Sequence, residues 1–209
     1  MDSNQRKLHW ENIYATKDLQ SVSWYQSKPE PSLQFVKDFN IPKDAKIIDV
    51  GGGDSLFIDY LIDLGYSNLT VVDISEVALE KAKKRLGNKS DLVNWIVADI
   101  SNFVPPAKYD FWHDRAAFHF LTNEEEINNY VKTVKQYLNE NGLFVVGTFS
   151  ENGPEKCSGI TIKQYSEVLL DKLLGNLFIK VKCFVVDHKT PFDTIQNFIF
   201  CSFRNSQTI

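Results

Sequence analysis

A chain of 209 residues is long enough to bury a substantial core and short for two independent domains. With 43% hydrophobic, 24% charged and 13% aromatic residues it falls among globular proteins and outside the disordered and low-complexity classes. A formal charge of −4 leaves no global positive field to hold nucleic acid or an anionic membrane, so neither is an expected partner.

Residues 1–25 are polar, with no apolar stretch for a signal peptide, and no run of about 18 apolar residues reads as a membrane span, which makes the cytoplasm the expected location. Cys157, Cys183 and Cys201 are too few and too scattered for a disulfide framework or a zinc site and are expected as free, buried thiols; no metal is expected.

"PEPSLQFVKDFNIP" predicts a short amphipathic helix between prolines, and from Lys46 strands and helices alternate. "KIIDV" reads as a buried strand, "SLFIDYLIDLG" as a helix closed by Gly65, and "LTVVDIS" as the next strand. Ser75 is placed to cap the helix "EVALEKAKKRL". "VNWIVADI" and the start of "YDFWHDRAAFHFL" are the third and fourth strands. Thr122 with Glu125 reads as a capping box opening a helix that Asn141 and Gly142 end. "LFVVGTFS" is a fifth strand, "YSEVLLDKLL" a helix, and "FIKVKCFVV" and "IQNFIFCSF" a closing antiparallel pair, with His188 in the loop between them. Strands alternating with helices imply a parallel sheet covered on both faces. The expectation is an α/β, Rossmann-like doubly wound single domain, with 1–44 an N-terminal helical lid segment and 45–205 the core.

In such sheets ligands bind outside the carboxyl ends of the strands, and the first strand-to-helix turn is a usual contact point. Gly51, Gly52 and Gly53 occupy that turn, where a bare backbone allows close approach. Asp73 ends the second strand, about 20 residues on, where a carboxylate can accept both hydroxyls of a ribose; Asp99 ends the third, within reach of an adenine amino group. Leu56 stands where a dinucleotide site wants its third glycine, which disfavours pyrophosphate. Asp49 adds negative charge just before the glycines and favours a cationic ligand, and S-adenosylmethionine carries both an ammonium and a sulfonium.

"DVGGG", "VVDIS" and "ADI" together resemble the acidic-x-G-x-G, second-strand and third-strand motifs of class I (seven-β-strand) S-adenosylmethionine-dependent methyltransferases, over roughly residues 45–205. The resemblance implies strand order 3-2-1-4-5-7-6 and S-adenosylmethionine as cofactor, with S-adenosylhomocysteine as product. It places Gly51 and Gly53 against the amino acid moiety, Asp49 near its ammonium, Asp73 on the ribose, and Ile74, Asp99 and Ile100 around the adenine. The segment "FWHDRAAFHFL" is similar to the D-K-G-T-x-D stretch of seven-strand protein lysine methyltransferases, including the citrate synthase enzyme, with Asp114 and Arg115 standing for Asp-Lys. Ala116, Ala117 and His119 depart from it, and small bacterial methyltransferases resemble this version more closely.

Methyl transfer needs a base only where the acceptor arrives protonated. His119 is the candidate base, with His113 and Asp114 beside it; Asp114 and Arg115 are also candidates for contact with the cofactor. Trp10, Tyr14, Trp24 and Tyr25 precede the core, and Tyr14 or Trp24 is expected to close over the methionine end as a lid. The reading is a methyltransferase acting on an O, N or S nucleophile of a small molecule. Its alternatives are a protein lysine methyltransferase, a nicotinamide dehydrogenase at a distance, and a non-catalytic cofactor-binding module.

Overall fold

The structure is a computed structural model that describes residues 1–206. Its elements run α1 (Ser3–Thr16), a 3-10 turn (Leu19–Ser21), α2 (Glu30–Asp38), β1 (Ile47–Val50), α3 (Phe57–Asp63), β2 (Leu69–Asp73), α4 (Glu76–Leu86), a 3-10 segment (Gly87–Leu92), β3 (Val93–Val97), β4 (Tyr109–Arg115) and a 3-10 turn (Phe118–Phe120). Then follow α5 (Glu124–Tyr137), β5 (Leu138–Phe149), a small hairpin of β6 (Lys156–Cys157) and β7 (Ile160–Thr161), α6 (Glu167–Leu174), β8 (Ile179–Lys189) and β9 (Ile195–Arg204).

The main sheet has seven strands in the order β3-β2-β1-β4-β5-β9-β8. With the β6–β7 hairpin set apart, this is the expected order. Strands β3 to β5 pair in parallel, as their helical crossovers require, and β9 runs antiparallel to both β5 and β8. Because successive side chains of a strand point to opposite faces, each buried strand feeds two cores. Ile48, Val50, Trp112, Phe144 and Phe203 pack on one face with Tyr130 and Val134 of α5. Ile47, Phe111, Val145 and Phe200 pack on the other with Phe35 of α2 and Phe57 and Leu61 of α3.

Ser75 caps α4 as expected, accepting from the Ala78 N–H at 3.1 Å. The cap of α5 is instead Asn123, whose side chain accepts from the Glu125 N–H at 2.8 Å; Thr122 lies one residue outside. That helix ends at Tyr137, four residues before Asn141, because Leu138 already pairs with Tyr109 in the sheet. β3 ends at Val97, so Asp99 sits two residues past it in a turn. His188 lies in β8 and not in the hairpin loop, buried, with its Nε2 2.7 Å from the Ser23 carbonyl oxygen.

The expectation of three free thiols is corrected. Cys183 and Cys201 face each other across the β8–β9 ladder with Cα atoms 4.2 Å apart and are joined by a disulfide, while Cys157 is free and buried. Among the described residues no helix is long and apolar enough to cross a membrane, and no cluster of metal-ligating side chains occurs.

The N-terminal segment is built onto the core by charge. Asp2 and Gln5 form a reciprocal capping box that starts α1. One turn later, Arg6 reaches Asp99 with Nε and Nη2, at 3.0 and 2.9 Å, and Glu126 at 2.8 Å. Glu11 accepts from the Ser75 hydroxyl and from the Glu76 and Val77 N–H groups, at 2.7, 2.9 and 3.1 Å. A side chain of α1 therefore meets the positive end of α4, where the first N–H groups have no helical partner.

Candidate functional site

The first turn after β1 is shaped by two left-handed residues, Gly51 at φ +66° and Gly53 at φ +51°. A Cβ on Gly51 would lie 2.4 Å from that of Ala117, and one on Gly53 would lie 2.5 Å from the Tyr14 hydroxyl, so neither position accepts a larger residue. The N–H groups of this turn point back into the protein: those of Gly51 and Gly52 go to the Val72 carbonyl, and that of Gly53 goes to Asp73. A phosphate-binding turn would aim them outward. Carboxylates rim the space beyond.

That space is one cavity lined by Asp49, Gly51, Gly52, Asp73, Ile74, Asp99, Ile100, His113 and Arg115, with Tyr14 and Trp24 from the N-terminal segment. Thus the residues read from three separate strand ends are brought together. Gly53 sits behind the lining, as do Asp114 and His119, and this overturns the placement of those last two at the acceptor.

Asp114 is fully buried and accepts from the Ala117 and Phe118 N–H groups and, at 2.6 Å, from the Tyr130 hydroxyl. The register explains why: His113 is opposite Asp49 and Asp114 is opposite Val50, so the two neighbours point to different faces of the sheet. Burial pushes the Asp114 carboxyl up to about 6 against those hydrogen bonds. Its work is to hold the turn after β4.

His119 is also fully buried, its ring against Phe120 and Phe149 at centroid distances of 4.6 and 4.7 Å. Nδ1 accepts from the Phe149 N–H at 3.3 Å. Burial, then the charge of Arg115, pushes its pKa down to about 3, far from the neutral range where a general base is effective. His113 lines the cavity but has both nitrogens engaged, Nδ1 with Asp49 at 2.6 Å and Nε2 with the Ser32 hydroxyl at 2.8 Å. It orients Asp49 and leaves no free nitrogen for proton abstraction.

Asp73 uses one oxygen for the Ser75 N–H at 2.8 Å. Its pKa is pushed up to about 7, first by burial and further by Asp54 and Asp49, against the hydrogen bonds from Ser75 and Gly53. For Asp99, burial works upward, but the Ser101 N–H, the Ser3 and Ser101 hydroxyls and Arg6 outweigh it and hold the carboxyl below its ordinary value.

Over the cavity the rings of Trp10, Tyr14, Trp24 and Phe120 form one cluster: Trp10 is 5.0 Å from Phe120, 5.7 Å from Trp24 and 6.1 Å from Tyr14 between centroids. Tyr14 is buried, and burial, then Asp73, raises its hydroxyl pKa, which keeps the proton on.

Sequence reasoning missed Ser32, Arg6 and Glu11. Arg6, Trp10 and Tyr14 are spaced four apart on one helix face, and that spacing was the available signal for Arg6. Ser32 and Glu11 act through contacts distant in sequence, for which no local signal exists.

The carboxylate rim fits S-adenosylmethionine, which presents two cations and a ribose diol and has no phosphate. Comparison with known proteins agrees. Residues 47–142 match the family described as "Methyltransferase domain". Over 107 residues the chain is 28% identical to malonyl-[acyl-carrier protein] O-methyltransferase 2 of Ilyobacter polytropus, covering 51% of this chain and 40% of that protein. Over 157 residues it is 27% identical to EEF1A lysine methyltransferase 2 of Danio rerio, covering 67% and 66%. The chain thus spans less than two thirds of either relative.

Among solved structures, N-methyltransferase NodS of Bradyrhizobium japonicum in complex with S-adenosylhomocysteine superposes with a TM-score of 0.72 at 14% identity, over 98% of this chain and 99% of that one. The 1,6-didemethyltoxoflavin-N1-methyltransferase of Burkholderia thailandensis gives 0.71 at 15%, over 99% and 92%. Residues 47–142 thus match a methyltransferase domain, and the chain as a whole shares its seven-strand fold with these solved methyltransferases.

Proposed function

We propose that the protein is an S-adenosylmethionine-dependent methyltransferase acting on a small molecule whose nucleophile arrives able to react without losing a proton. The observation that carries this reading is the rim of Asp49, Asp73 and Asp99 around a glycine turn whose N–H groups face inward. When bound, S-adenosylmethionine supplies an electrophilic methyl group on a sulfonium centre. Asp49, held in place by His113 and Ser32, attracts the ammonium of the amino acid end. Asp73 offers its carboxylate to the ribose hydroxyls. Ile74 and Ile100 flank the adenine, and Asp99, oriented by Arg6, faces its amino group.

Trp10, Tyr14, Trp24 and Phe120 keep water from the reacting atoms and hold the acceptor close and aligned, which is a large part of what this chemistry needs. With both nitrogens of His113 engaged and His119 buried outside the cavity lining, neither of these two serves as base. A carboxylate, a thiolate or a neutral amine needs none. A protein lysine acceptor is the second reading, favoured by the zebrafish relative.

Incubation with methyl-labelled S-adenosylmethionine and cell extract separates the two. Label in the low-molecular-weight fraction is the expected result. Label in polypeptide supports the lysine reading instead.

A further inference from the structure

Resting on the methyltransferase reading, we infer that the acceptor carries an anionic oxygen group, of which a carboxylate is the prime case, and that Arg115 is the residue that grips it. Arg115 ends β4 and lines the cavity. Of its guanidinium nitrogens only Nη1 is engaged, donating to the Trp24 carbonyl oxygen at 3.1 Å. Nε and Nη2 are shut off from solvent and have no hydrogen-bond partner.

Those two nitrogens form the edge of the guanidinium that matches a carboxylate with two parallel hydrogen bonds. The protein itself uses that edge elsewhere. Arg85 holds Asp59 by Nε and Nη2, at 2.9 and 2.8 Å, and Arg6 holds Asp99 by the same pair of nitrogens. Arg6 and Arg85 are ion-paired; Arg115 has no ion pair among the described residues.

Burial pushes its pKa down, to about 10, and at neutral pH the group is still a cation. A buried cation without a counter-charge is costly, and a bound anion removes that cost. Asp49 acts on it only from a distance, because that carboxylate is hydrogen-bonded to His113.

Position separates acceptor from cofactor. Asp49 lies in β1, Asp73 ends β2 and Asp99 follows β3, on one half of the sheet. The Arg115 guanidinium lies 4.9 Å from the centre of the Phe198 ring, on β9, two strands beyond β4 in the other direction. The cofactor's own carboxylate has the same chemistry, so the experiment must distinguish the two sources.

Small molecules from a cell extract are passed over an anion exchanger, and the retained and unretained fractions are assayed for acceptance of labelled methyl. Wild type, Arg115→Gln and Arg115→Lys are compared, with S-adenosylhomocysteine affinity measured by calorimetry for each. The expected result is acceptor activity in the retained fraction. Arg115→Gln then loses roughly tenfold or more in kcat/KM for it, Arg115→Lys loses less, and affinity for S-adenosylhomocysteine stays within about twofold.

Acceptor activity confined to the unretained fraction or to polypeptide overturns the inference, as does unchanged kcat/KM in folded Arg115→Gln. A loss of about tenfold in S-adenosylhomocysteine affinity with acceptor KM unchanged assigns Arg115 to the cofactor and also overturns it. The fractionation is read on wild type and stands even where a variant fails to fold. Failure of wild type to bind S-adenosylhomocysteine is a different outcome and removes the methyltransferase reading itself.

Discussion

Asp73 shows how a ligand site can hold a residue in an expensive state. Its folded pKa of about 7 lies above the ordinary carboxylate value of 3.8, so its contribution to stability is full below the unfolded value and is lost as pH rises through about 7. Asp73→Asn keeps the shape and removes the charge. Without ligand, this variant is expected to gain stability over wild type between about pH 4 and pH 7, reaching roughly 1–3 kcal/mol, with a constant difference above that. Thermal melts across that range check the sign.

The same titration acts oppositely on binding, because only the carboxylate accepts both ribose hydroxyls. Affinity of the wild type for S-adenosylhomocysteine is expected to rise by roughly tenfold from about pH 6 to about pH 8, and Asp73→Asn is expected to lose both affinity and this dependence. A wild-type affinity independent of pH would place the ribose elsewhere.

That Asp49, Asp73 and Asp99 line one cavity was legible in the sequence because each lies at or near the carboxyl end of a strand that could be located. Asp114 and His119 were misread because proximity along the chain was taken for proximity in space. Residues adjacent in a strand face opposite ways, and the alternation of Phe111, His113 and Arg115 against Trp112 and Asp114 already separates them.

At the scale of elements, the N-terminal helix is the part the sequence conveyed least. Its aromatic residues announced a cover over the site, but its attachment depends on Glu11, whose partners lie 64 to 66 residues away, and on Arg6, 93 residues from Asp99. Burial acts to raise the Glu11 carboxyl, and the Ser75 hydroxyl with the Val77 and Glu76 N–H groups outweighs it and lowers the pKa below 4.5. A depressed carboxylate contributes stability above its unfolded pKa and loses it as pH falls through the folded one. Docking of α1 on α4 should therefore weaken in acid. Glu11→Ala is expected to cost about 1 kcal/mol and to speed hydrogen exchange in residues 3–16 while leaving α5 unchanged. Equal protection of α1 in the variant would mean that the aromatic cluster alone secures it.

For the whole molecule, the order of the sheet followed from alternation and from the two terminal strands with no helix between them. The Cys183–Cys201 bridge did not, because the register that sets them opposite is fixed only when β8 and β9 pair across Thr190 and Thr194. Alkylation of the unreduced, unfolded chain should modify Cys157 alone; modification of all three cysteines would show that the bridge is not formed.

The account rests on the acidic rim of the cavity receiving a nucleoside with a cationic amino acid arm. Calorimetric titration of the protein with S-adenosylhomocysteine and, separately, with NAD measures this directly. Saturable binding of one S-adenosylhomocysteine per chain, with no heat from NAD, is the predicted result. Binding of NAD in its place, or of neither, would contradict it.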